Sequence, residues 1–131
     1  MTDEPADLLD RAREELAAAQ ALLDAGFPSQ ALARAYTGAL RAGEAVLLFL
    51  EEPAFTPAGV VAGFTRRVVV QGGMDPDFGR SFRRLYEDRR DVDYAMADVP
   101  PHEAERAVTE ARDLLNAVTG WISTRAADAA A

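Results

Sequence analysis

Apolar residues return every three or four positions along nearly the whole chain, and prolines and glycines cut this rhythm into five pieces. Such a recurrence puts its members on one side of an α-helix. Leu9, Ala12, Leu16, Ala19 and Leu23 form the first stripe, which predicts a helix from about Asp3 to Ala25. Pro5 fits its first turn, and Gly26 followed by Pro28 is a C-terminal stop. Ser29 is the expected N-cap of a second helix, reaching about Glu51 before Pro53. Its face is small: Ala31, Ala35, Ala39, Ala42 and Val46. Small residues let neighbouring helices come close.

Thr56-Pro57 reads as a cap and first-turn pair that opens a short helix of two to four turns, ending near Val70. Gln71-Gly72-Gly73 is a loop. Asp75-Pro76 repeats the cap-then-proline signal and opens a fourth helix with the stripe Phe78, Phe82, Leu85, Val92 and Met96. Pro100-Pro101 closes it and leads to a fifth, from about His102 to Arg125, with Ala104, Val108, Ala111, Leu115, Val118 and Ile122 inward and a frayed tail at 126–131. No segment alternates with period two over strand length apart from the ambiguous Val68–Val70 run. The expected fold is therefore all-α: an antiparallel up-and-down bundle of four long helices and one short one, in a single domain over residues 1–125.

Several functions are excluded by composition. Zero cysteines among 131 residues rule out disulfides and thiolate chemistry, and one histidine cannot furnish a Cys- or His-based metal site or two Glu-x-x-His pairs. No metal or cofactor is expected. His102, in PPHEAE at a helix start, reads as exposed rather than catalytic. GGMDPDFG is a turn and not a phosphate loop. The longest apolar run, AVLLFL at 45–50, is too short to cross a bilayer, and the acidic start MTDEPADLLD lacks a signal-peptide pattern. A cytoplasmic location without membrane attachment is the default expectation. A net charge of −8 argues against a general nucleic-acid binder. All 14 cations are arginines, and seven fall between Arg66 and Arg90. Their plainest reading is as solvated faces; a local basic surface is the alternative.

One cation is out of place. Within RRLYEDRRDVDYA, residues 83–95, Arg89 falls in the middle of the fourth helix's apolar arc, which spans roughly 80°. A buried guanidinium needs an anion. Asp93 stands one turn later on the same side, whereas Tyr94 points about 140° away on a straight helix. Periodicity allows three readings: an ion pair with another helix that fixes register, a contact between chains, or a ligand site.

Three stretches then resemble a known family. SQALARAYTGALRAGEAVL, GVVAGFTRRVVVQGGMDPDFG and RRLYEDRRDVDYA, in this order and spacing, are similar to the HEPN superfamily, and within it to small proteins of the UPF0332 type, over about residues 7–122. The resemblance implies a helical bundle of about five helices in a two-fold homodimer. Many members are metal-independent ribonucleases that pair an arginine with a histidine at the dimer cleft, and some are toxins neutralised by a neighbouring nucleotidyltransferase. Here the arginine is Arg89 and the histidine position holds Tyr94, a feature common in UPF0332-type members. A tyrosine with a pKa of about 10 is a poor acid–base substitute near neutrality. Other family histidines fall at Arg41 and Pro57. The resemblance therefore implies a dimeric module that binds a nucleotide, an RNA end or an acidic partner group through Arg89, Asp93 and Tyr94, with Arg90, Tyr36 and Arg41 contributing. Its protein partner would be a minimal nucleotidyltransferase, as in a toxin–antitoxin system. The alternatives are a ribonuclease toxin using Arg89 and Tyr94 as catalytic residues, and a purely structural homodimer.

Overall fold

The computed structural model describes residues 4–95 and 98–130, and the side chains of these apart from residues 92–95. The described chain is helical throughout, with α1 Pro5–Asp24, α2 Pro28–Phe49, α3 Pro57–Phe64, α4 Pro76–Ala95 and α5 Pro101–Ala130. α3 runs on into a π-helical stretch, Thr65–Val70, so the short helix expected over 56–70 widens in its second half. There the N–H of Gln71 donates to the carbonyl of Arg66, five residues back. No strand occurs among the described residues, and the all-α bundle is as expected.

α2 is the central element and touches every other helix. Its face explains this. Ala31, Ala35, Ala39, Ala42 and Ala45 are fully buried, and Gly43 lies against Phe82 of α4 and Val60 of α3. Helices bearing such small residues at the contact can pack with their axes unusually near. Around α2 the core gathers Leu9, Leu16, Phe64, Phe82, Leu85, Leu114 and Val118. α4 and α5 are joined at the surface by an ion-pair chain: Arg84 to Glu110 at 2.8 Å, Glu110 to Arg106 at 3.0 Å, and Arg106 to Asp88 at 2.7 Å.

Three boundaries differ from expectation. α2 is capped by Phe27 rather than Ser29, with Pro28 as its first residue. The reason is the preceding turn: Phe27 N–H donates to Leu22 and Gly26 N–H to Leu23, a Schellman closure with Gly26 at φ +87°. That closure delivers the chain directly to Pro28, whose fixed φ already suits a first helical position. α2 itself ends at Phe49 by the same device, with Glu51 at φ +60° where glycine is usual. α5 does not stop at Arg125. It continues to Ala130, because the alanine-rich tail expected to fray holds no breaker and favours helix. The other caps match the sequence reading. Thr56 Oγ1 accepts from Gly59 N–H at 3.0 Å, and Asp75 Oδ1 accepts from Asp77 N–H at 2.9 Å.

The candidate anion cavity between α2, α3 and α4

Where α3 begins, it leaves a cavity of about 500 Å³ against α2 and α4. Tyr36 and Thr37 of α2, Thr56, Pro57 and Ala58 at the head of α3, and Tyr86, Arg89 and Arg90 of α4 line it. Tyr86, Arg89 and Arg90 share one helix face because they stand at i, i+3 and i+4. The Arg90 guanidinium lies 5.7 Å from the Tyr86 ring centre, and the Tyr86 and Tyr36 rings are tilted at 6.4 Å. No described residue that lines the cavity is acidic.

Arg89 is half-buried in this wall, which accounts for its place on the apolar arc. Its aliphatic stem can run along apolar surface while its head reaches the cavity. Arg90 is exposed. Tyr36 is nearly buried, and burial pushes its hydroxyl pKa up; the neighbouring Tyr86 and Glu44 add to this, whereas the charges of Arg89 and Arg41 pull it back. Tyr36 thus stays a neutral hydrogen-bond donor near neutral pH. The start of α3 adds the partial positive charge of a helix N-terminus. Two guanidiniums, phenolic hydroxyls and a helix start, in a water-accessible recess, make an environment suited to a phosphate or carboxylate.

The structure brings Tyr36, Arg89 and Arg90 together. Arg41 does not join them. It lines an adjoining cavity on the other side of Thr56-Pro57 and holds Glu44 at 2.5 Å. The side chains of Asp93 and Tyr94 lie outside the described residues. Tyr86 was missed by the sequence reading. Its signal was there, three residues before Arg89, but its partner Tyr36 comes from a distant helix. Arg106 was missed too. Burial lowers its pKa, yet the hydrogen bond it donates to Asp88 and the charges of Glu110 and Asp88 outweigh this and leave it raised. Between α4 and α5, Arg84 and Arg106 supply ion pairs that the sequence reading did not name.

Four of the seven arginines between Arg66 and Arg90 are paired with carboxylates. Arg66 and Arg67 both pair with Glu52, Arg80 with Asp77 and Arg84 with Glu110. Among the described residues no group of three His, Asp or Glu side chains is placed to hold a metal ion. None of the described helices is long and apolar enough to cross a membrane. The family model of the HEPN domain matches residues 6–121. No curated protein matches the chain significantly.

Proposed function

The chain belongs to the HEPN domain family, and from that premise we propose that it is a binding module of the UPF0332 type that holds the terminal phosphate of a nucleotide or RNA. The observation that carries this reading is the cavity itself. Arg89 and Arg90 face one recess whose described lining contains no carboxylate, in a chain of net charge −8. Two arginines lining one recess in an acidic chain give anion binding a local basis rather than a general field effect. Arg89 grips two phosphate oxygens with its planar fork, Arg90 adds charge from the rim, and Tyr36 donates through its hydroxyl.

The module acts as a homodimer in this reading, with α4 of each copy bringing its Asp93-Tyr94 end to a shared cleft. Its protein partner is a minimal nucleotidyltransferase. The test is fluorescence anisotropy with a 5′-phosphorylated, labelled RNA octamer. Arg89→Ala is expected to weaken binding at least tenfold while leaving the melting temperature within a few degrees of the parent. Unaltered affinity would remove the site from consideration. Sedimentation of the parent chain as a monomer at micromolar concentration would remove the dimer.

A further inference from the structure

A groove of about 500 Å³ lies between the π-helical stretch and the first half of α4, and it shares no lining residue with the anion cavity. Thr65, Val69 and Val70 form one side of it. Pro76, Gly79, Arg80 and Arg83 form the other. The wide turn sets its apolar wall. Of three consecutive valines only Val68 is wholly in the core; Val69 is half-buried and Val70 is 74 % exposed. Gly79 is the floor. A Cβ there would stand 3.3 Å from Val69 Cγ2 and 3.7 Å from Thr65 Oγ1, so the missing side chain keeps that space open.

The groove is polarised along its length. Val70 ends the π-helical stretch and Pro76 begins α4, so the end beside the loop is apolar. Gly79 meets Val69 and Thr65 in the middle, and Arg83 stands one turn further from the loop. Arg80 is matched by Asp77, but Arg83 makes no ion pair or hydrogen bond among the described residues. Thr65 makes no hydrogen bond through its hydroxyl there either, although Thr37 and Thr119 both return theirs to the carbonyl four residues back. No described residue that lines the groove is acidic. One end therefore offers apolar surface, and the other a cation and a hydroxyl.

We infer that this groove binds a small apolar carboxylate, a linear acid whose tail lies over Gly79 against Val69, Val70 and Pro76 and whose head meets Arg83. The Arg83 fork matches the two carboxylate oxygens, and the Thr65 hydroxyl donates to one of them. Pro76 to Arg83 is about 10 Å along the helix, which suits a chain of about eight carbons. The polarity selects the occupant. An uncharged apolar ligand would leave Arg83 and Thr65 without partners, an amine would meet two arginines of its own sign, and an anion without a tail would leave Val70 uncovered. The site is independent of the anion cavity at Arg89 and stands or falls without it.

Octanoate is the probe, titrated into the full chain and followed by methyl NMR of the valines. It should bind with a Kd below about 1 mM and shift the methyls of Val69 and Val70 while leaving those of the core residue Val118 in place. Octylamine and acetate should each bind about tenfold more weakly or worse, since one lacks the charge and the other the tail. Arg83→Ala should weaken octanoate about tenfold, Arg83→Lys should retain most of the affinity, and Arg83→Glu should make octylamine the better ligand. Arg83 is exposed, so these variants should melt with the parent. Val70→Asp should abolish binding of octanoate, and Arg89→Ala should leave it unchanged. Absence of shifts at Val69 and Val70, equal shifts from octylamine, or an Arg83→Ala protein that binds octanoate as the parent does would each overturn the inference.

Discussion

Replacing Gly43 by alanine tests how α2 and α4 come close enough to build the cavity. A Cβ placed at Gly43 would lie 2.7 Å from Cε2 and 2.9 Å from Cζ of Phe82, and 2.8 Å from Cγ1 of Val60. Neither neighbour can yield easily, because Phe82 is fully buried, Val60 nearly so, and the Phe82 ring is locked edge-on against Phe64 at 5.4 Å. Overpacking of this kind costs about 1–3 kcal/mol. Alanine returns about 1 kcal/mol in helix propensity. With the clash on two sides the upper part of the range applies, and the net loss should be about 2 kcal/mol. For a chain of this length that lowers Tm by roughly 8 °C. Gly120 of α5 is the control, since nothing lies within 4 Å of its added Cβ; Gly120→Ala should gain up to about 1 kcal/mol from propensity alone. Calorimetry on both variants decides. A Gly43→Ala protein at least as stable as the parent would refute the claim that α2 and α4 meet through this glycine. The same substitution should also weaken RNA binding, because Tyr36 and Tyr86 are held 6.4 Å apart across that crossing.

Other substitutions reach other parts of the account. Glu51→Gly should stabilise by about 0.5–1 kcal/mol in urea unfolding, because a left-handed φ of +60° costs any residue with a Cβ more than glycine. Gly72→Ala should destabilise by about 3 kcal/mol, since its Cβ would sit 2.6 Å from the Val68 carbonyl oxygen and the backbone cannot step aside. Trp121, which donates to the Gly72 carbonyl at 3.1 Å, reports this by fluorescence. Arg106→Ala should cost about 1 kcal/mol in low salt and less in high salt, as an ion-pair network at partial exposure is screened. Tyr36 is raised in the folded state, so its contribution is intact below the unfolded pKa of about 10 and is lost as pH climbs through the higher folded value. Urea unfolding followed upward from about pH 9.5 should show a decline that is smaller in Tyr36→Phe.

Helix starts were legible where a cap residue precedes proline, because Thr56-Pro57 and Asp75-Pro76 each satisfy a local rule that no distant contact overturns. The small face of α2 was legible from its alanines, and so was Arg89 as the anomaly on the fourth stripe. The end of α2 was less so. Glu51 adopts a glycine conformation because the Schellman hydrogen bonds of Glu51 and Glu52 hold it there, and propensity alone argues otherwise. The cavity was half legible. Arg89 and Arg90 are adjacent in sequence, but their meeting with Tyr36 depends on the crossing of α2 and α4. Arg41 seemed to belong with them by resemblance, yet it lies beyond Thr56-Pro57 and pairs with Glu44 three residues on.

The central claim is that Arg89 meets a phosphate. The dependence of RNA-octamer affinity on salt tests it most directly, since each phosphate contact contributes about 0.7 to the slope of log K against log salt for a single strand. The account predicts that Arg89→Ala reduces the magnitude of that slope by about this amount and weakens binding at every salt concentration. A slope and affinity identical to those of the parent would contradict it.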